Sequence, residues 1–459
     1  MTSHDGDTVF VHLSSALTEE SRRYPGDGAA RQPVHTVYGG AHLFRAATAR
    51  RLGELARAAL ARHAPTAADL AAALGWAELG VGEALAGRVY ERVVEKLGRE
   101  PVEDFRIDFE DGYGNRPDDE EDGDAEAAAR QVARGMAGGS LPPFVGIRIK
   151  PLTAELNRRA LRTLERFVDT LVEATGGALP AGFAVTLPKV TLAAQVETLA
   201  VTLDRLERRH DLDRGAVRVE LMVETPRSIF APDGAAALPA LVAAADGRCR
   251  GAHFGTYDYT ASLGIIAAHQ RMDHPVCDFA KQVMQVALAG TGVWLSDGAT
   301  NVLPVAPHRA ADGTTLGGDE EAANRAAVHA AWRLHHRHVR HSLAGGFYQG
   351  WDLHPAQLPT RYAAVYAFFW SEAPSAGERL RGFIAQAARA TLSGGVFDDA
   401  ATGQGLLNFF LRAVGCGALS EAEARELSGL GEAELRSRSF VDILAVRQGG
   451  ARSGGGEDD

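Results

Sequence analysis

Hydrophobic and polar positions along the chain fall into two alternating patterns. Short runs rich in β-branched and aromatic residues predict strands at 33–40 (PVHTVYGG), 104–112 (DFRIDFEDG), 144–152 (FVGIRIKPL) and 183–190 (FAVTLPKV). Four more follow at 217–226 (VRVELMVETP), 250–258 (RGAHFGTYD), 292–298 (GVWLSDG) and 346–355 (GFYQGWDLHP). Between them, segments such as LNRRALRTLERFVDTLVEA and DFAKQVMQVALAG repeat apolar residues at spacings of three and four, the helical period. Strands that alternate with helices, eight of them, predict an α/β fold, a (β/α)8 TIM barrel, ahead of a doubly wound sheet.

The spacing is uneven. A helical stretch at 41–100 separates the first two strands, and one long helix after a loop joins the seventh to the eighth, so the barrel carries helical insertions. The expected organisation is an N-terminal segment, flexible in part (1–30), a barrel catalytic domain (31–360), a C-terminal helical extension (361–447) and a Gly-rich acidic tail (448–459) that composition marks as disordered. The acidic run at 116–127 reads as a solvated loop leading into a helix start.

Barrels of this kind place their chemistry at the C-terminal ends of the strands. There the chain sets Asp108, Glu110 and Asp111 on strand two, Arg148 and Lys150 on strand three, and Lys189 on strand four. Glu224, Asp258 and Asp297 end strands five, six and seven, and Asp352 and His354 end strand eight. A charge within a short apolar strand is costly unless it is paired or bound to an ion. Taken singly, each reads as half of an ion pair, and Asp258 as a turn or helix-cap residue. Glu224 and Asp258, however, lie 34 residues apart, about one β/α unit. On neighbouring strands they could share a hard divalent cation, with waters and substrate oxygens completing the octahedron that Mg2+ prefers.

Composition narrows the partners. With 459 residues, 46% hydrophobic and 23% charged, the chain has the balance of a soluble globular protein, and no apolar run reaches membrane-span length, so no membrane partner is expected. A formal charge of −11 disfavours nucleic acid. The start, MTSHDGDTVF, lacks a basic and then apolar leader, and Cys249, Cys277 and Cys416 show no paired spacing; a cytoplasmic protein with reduced thiols is expected. Of the four lysines, Lys150 and Lys189 fall at strand ends, which keeps a Schiff-base aldolase as a competing reading. His335, His336, His338 and His341, with Arg337 and Arg340, spread around one predicted helix and read as an exposed basic surface.

In order, RIDFEDGYG, VGIRIKP, TLPKV, LMVETPRSIF, HFGTYDYTASLG and GWDLHPAQL resemble the motifs of the citrate lyase β-subunit-like and HpcH/HpaI aldolase superfamily, to which malate synthase is related. The resemblance spans roughly 104–360. It implies Mg2+, or Mn2+, held by Glu224 and Asp258, and Arg148 on the carbonyl and carboxylate oxygens of the substrate. Asp108, Glu110, Asp111 and Lys189 would stand behind the metal and its waters. Thr225, Gly255 and Thr256 would cradle the substrate carboxylate, since helix N-termini favour anions. In relatives that use coenzyme A thioesters a C-terminal Asp acts as base, often from a neighbouring subunit, which implies a homo-oligomer; Asp398 or Asp399 would serve here, though the pair reads equally as a helix cap. The implied activity is that of a Mg2+-dependent carbon–carbon lyase or aldolase acting on a 2-oxo acid or a hydroxyacyl-coenzyme A through a metal-stabilised enolate. A malate synthase-like condensing enzyme, a malyl-coenzyme A-type thioesterase and a non-catalytic metabolite-binding barrel are the alternatives.

Overall fold

Each of the eight strand segments forms one parallel strand, and the strands close in sequence order into a barrel. They are β1 (His35–Gly40), β2 (Asp104–Asp108), β3 (Phe144–Arg148), β4 (Ala184–Leu187), β5 (Arg218–Val223), β6 (Cys249–Phe254), β7 (Trp294–Ala299) and β8 (Gln349–Asp352). Pairing of His35 with Gly350 and of Val37 with Asp352 joins the last strand to the first. The computed structural model describes residues 4–26, 30–310, 313–392 and 400–453. The fold is a (β/α)8 TIM barrel with a helical extension.

Helix α1 (His4–Arg23) precedes β1 and exposes Phe10, Leu13 and Leu17. The insertion before β2 is α2 (Thr48–His63), α3 (Ala67–Leu74) and α4 (Glu83–Arg99). Around the barrel follow α5 (Asp118–Gly138), α6 (Asn157–Thr175), α7 (Ala193–Arg209), α8 (Pro226–Ile229), α9 (Leu238–Ala244), α10 (Thr256–Ser262), α11 (Pro275–Leu288) and α12 (Gly318–Ala344). After β8 come α13 (Leu358–Leu392), α14 (Ala400–Gly415), α15 (Glu421–Ser428), α16 (Glu432–Ser437) and α17 (Phe440–Ser453), the last running into the Gly-rich segment.

Strand parity sorts the side chains. On β5, Val219, Leu221 and Val223 face outward into the apolar layer under the helices, fully buried. The alternate residue Glu220 points into the barrel. There it meets Arg106 of β2, a strand that is not its neighbour, at 2.6 and 2.9 Å. Arg250 (2.6 Å) and Thr186 (2.9 Å) also donate to Glu220, and Arg106 pairs with Asp104. The lower barrel is thus packed with a buried ion network rather than with branched aliphatics. The guanidinium charges hold the Glu220 carboxyl well below its usual range despite burial.

Three expectations need correction. The run at 116–127 is mostly helix, and Glu121 and Asp122 within it are buried, paired with Lys150 (2.9 Å) and with Arg159. Lys150 accordingly faces α5 and the carbonyl of Phe109 (2.7 Å), away from the strand-end cluster, because β3 stops at Arg148 and Pro151 cannot continue the ladder. The histidines of α12 are not a surface: His335, His336 and His338 are buried, and only His341 is exposed among the four. His335 binds Asp352 (3.0 Å), which also takes His35 (2.7 Å) and Arg361 (2.9 Å); His336 Nε2 accepts the indole N–H of Trp76 (3.0 Å).

Candidate active site

At the C-terminal rim of the barrel, β2 places Asp108 level with Arg148 of β3. Asp108 takes the guanidinium on both oxygens, Nε–H at 2.7 Å and Nη2–H more closely, and also accepts the backbone N–H of Glu110 (2.9 Å) and of Gly112 (2.7 Å). A carboxylate held by two backbone donors is a rigid clamp, and bidentate pairing fixes the plane of the arginine. Arg148 Nη1 reaches Glu110 at 2.9 Å, and its guanidinium lies 4.8 Å over the ring of Tyr38. The Tyr38 hydroxyl in turn touches His253 Nδ1 (3.4 Å), linking the site to the ion network below. Sequence reasoning passed over Tyr38, although two-residue alternation from Thr36 in HTVYGG points it inward.

Lys189 follows β4 in a left-handed conformation, φ +50°, uncommon for a residue with a side chain. That turn aims its backbone N–H at Glu224 Oε1, 2.6 Å away. Its ammonium contacts Glu110 and lies 3.5 Å from both Asp111 and Asp258. Burial alone would lower the Lys189 pKa, but Glu110 and Asp111 outweigh it and raise the value. A Schiff-base lysine needs the opposite shift, so the site disfavours imine chemistry at Lys189.

Glu224, one residue past β5, is buried. Burial first, and the facing Asp258 carboxylate second, push its pKa up to about 8. Asp258 stands in the first turn of α10, half exposed, where the helix dipole favours an acid. Gly255 has to be glycine for this packing: a Cβ there would stand 2.5 Å from Glu224 Cβ and 2.6 Å from Oε2.

The carboxylates Asp108, Glu110, Asp111, Glu224 and Asp258 are thus gathered around Arg148 and Lys189, leaving negative charge in excess. Among the described residues no group of three or more His, Cys, Asp or Glu is placed to hold a metal. Two hard carboxylates with an uncompensated charge nevertheless fit Mg2+, which takes one or two protein carboxylates and fills its remaining positions with water and substrate.

The cradle is less open than expected. The Thr225 hydroxyl caps α8, accepting from Ser228 N–H (3.2 Å) and donating to the Val190 carbonyl (3.0 Å). Gly255 N–H is spent on the Val223 carbonyl (2.9 Å). Thr256 Oγ1, by contrast, is buried and without a hydrogen-bond partner. Asp297 is away from the cluster, bound to Lys281 (2.9 Å) and Ser342 (2.6 Å), and His354 caps the turn at Pro355 through Ala356 N–H (3.1 Å). Asp398 and Asp399 lie outside the described residues.

A family described as Domain of unknown function (DUF6986) matches residues 13–443. No curated protein matches the chain in sequence. Among solved structures it is similar to a Haloferax volcanii malate synthase in a pyruvate/acetyl-CoA ternary complex, at 14% identity and a TM-score of 0.41, over 57% of this chain and 60% of that one, so it spans about three fifths of that relative. It is also similar to the CitE protein of Mycobacterium tuberculosis in complex with magnesium and pyruvate (19% identity, TM-score 0.39, 73% of this chain and 91% of that one). A HpcH/HpaI aldolase/citrate lyase family protein of Burkholderia cenocepacia J2315 is a third (12% identity, TM-score 0.37, 80% and 99%).

Proposed function

We propose that the chain, which belongs to the DUF6986 family, is a Mg2+-dependent carbon–carbon lyase or aldolase acting on a 2-oxo acid or a hydroxyacyl-coenzyme A through an enolate. The observation that carries this reading is the buried Glu224 carboxyl facing Asp258, one strand-end cluster away from a clamped arginine. Glu224 and Asp258 would hold the metal, which supplies a Lewis acid for the carbonyl oxygen of the substrate.

The chain's own residues do the rest. Asp108 and Glu110 occupy part of the donor fork of Arg148 and fix its plane over Tyr38. Nη1 is taken by Glu110 (2.9 Å) and Met222 Sδ (3.8 Å), so the second N–H of Nη2 is the donor left for a carboxylate or a developing oxyanion. Such a donor set needs no reorganisation when charge builds on the substrate. Lys189 keeps its proton and balances Glu110, Asp111 and Asp258. Thr256 Oγ1 offers a further buried hydroxyl to the bound acid. Asp398 or Asp399 is proposed to move the proton at the enolate carbon.

The test is a panel of 2-oxo acids and acyl-coenzyme A esters with and without Mg2+, run with the wild type, Glu224→Gln and Asp258→Asn. Turnover is expected to require the metal and both carboxylates. Activity that survives both substitutions, or a substrate adduct trapped by borohydride, refutes the reading.

A further inference from the structure

A positively charged cavity lies at the opposite end of the barrel from Arg148. It measures about 420 Å³, within the range of small-ligand sites. One wall is formed by the starts of β1, β7 and β8, through Arg31, Trp294 and Tyr348. The other is the C-terminal extension, through Leu411 of α14, Arg425 of α15 and Arg436 of α16. Strands enter the barrel here, so the cavity stands apart from the chemistry expected at their C-terminal ends.

Its charge balance is the reverse of the chain's. Five arginines line it, Arg31, Arg412, Arg425, Arg436 and Arg438, against two carboxylates, Glu421 and Glu432, in a protein of formal charge −11. Arg31 is balanced from outside the cavity by Glu100 (2.5 Å) and Glu103 (3.0 Å). Arg425 and Arg436, in contrast, share the one carboxylate of Glu432, at 3.9 and 2.5 Å. Arg438 ends α16 in a left-handed conformation, φ +57°, where glycine is the usual residue, and so adds a further cation to the wall. Arg31 also leaves a donor unpaired. Its terminal nitrogens bind Glu100, and its Nε is buried without a hydrogen-bond partner. A buried donor left unpaired is unfavourable, and an oxygen of a bound anion would satisfy it.

Beside the arginines the wall is apolar: Leu288 is buried, and Trp294 and Leu411 are half-buried. Guanidiniums match phosphate oxygens as planar forks. An inorganic ion alone would leave the apolar part of the wall against water. We propose that this cavity binds an organic phosphate, with its anionic end among the arginines and its apolar or planar part against Trp294 and Leu411. The ligand is distinct from the substrate bound at Arg148, and the inference does not rest on the lyase reading.

Calorimetry on the full chain in EDTA, so that no divalent cation takes part, tests this with two matched pairs: ADP against inorganic pyrophosphate, and hexyl phosphate against inorganic phosphate. At least one organic phosphate is expected to bind saturably, about tenfold or more tighter than its inorganic counterpart. Arg425→Gln combined with Arg436→Gln, both at exposed positions, should weaken that binding by about a hundredfold, about tenfold for each guanidinium, with the melting temperature unchanged. Ala289→Trp, at an exposed position on the cavity wall, should block it by filling the space. If neither organic phosphate binds saturably, or if binding survives both variants, the proposal is overturned. Inorganic anions that bind as tightly as the organic ones overturn it too, since the apolar wall then contributes nothing.

Discussion

Magnesium affinity is expected to track the ionisation of Glu224. In the metal-free protein that carboxyl titrates near 8, raised by burial and then by Asp258, whereas a cation binds its ionised form. At pH 7 a group with that pKa is ionised in roughly one molecule in eleven, and at pH 6 in roughly one in a hundred. The apparent Kd for Mg2+ should therefore weaken by about tenfold from pH 7 to pH 6 and level off above about pH 8.5. Binding at pH 7 should also release about 0.9 proton per Mg2+. Isothermal titration in two buffers of different ionisation enthalpy reads both quantities. Glu224→Gln removes the titrating group and should abolish the released proton along with most of the affinity. An Mg2+ affinity that is flat between pH 6 and pH 8 would refute the raised pKa of Glu224, and an unchanged affinity in Glu224→Gln would show that Glu224 is not a ligand.

Arg148→Lys keeps the charge but loses the fork that Asp108 holds on two nitrogens; kcat should fall by about a hundredfold or more, with little change in melting temperature. Glu220→Ala takes from the buried Arg106 one of its two carboxylate partners, leaving Asp104, and from Arg250 its carboxylate, and urea unfolding should show a loss of about 3 kcal/mol. Acid stability should depend on α12. Burial lowers the pKa of His336 to about 3 and of His338 to about 4. Because these values lie below that of an unfolded histidine, the unfolded chain takes up protons first, and stability is lost as pH falls below about 6.5. By pH 5 each should cost about 2 kcal/mol. Replacing His336 with Gln should weaken that dependence in urea melts at pH 5 and pH 7, because Trp76 donates to its Nε2 lone pair.

Much of the architecture was legible because its signal is local. Each strand shows in a run such as VRVELMV, and each helix in three- and four-residue spacing. Closure of β8 onto β1 brings the strand ends of the six quoted motifs around one rim. The histidines of α12 are not legible as buried from residue type alone, because histidine ranks with the polar residues. The buried stripe Val328, Trp332, His335, Val339 and Leu343 runs at helical spacing through one of them, and a neutral imidazole with a partner buries readily. Lys150 misled for another reason: its run of apolar neighbours outlasts β3, and the side chain turns outward where the strand ends.

The sequence by itself determined the order of strands and helices and the supply of carboxylates at the strand ends, since backbone periodicity and residue identity need no partner to be read. Tertiary structure alone decided which charges meet. Glu220 is neutralised by Arg106 from across the barrel, while Glu224, four residues on, faces another carboxylate and is held near 8. The physical reason is that a carboxyl's pKa and pairing depend on burial and on charges brought from strands far apart in the chain, and those distances exist only once the barrel is closed.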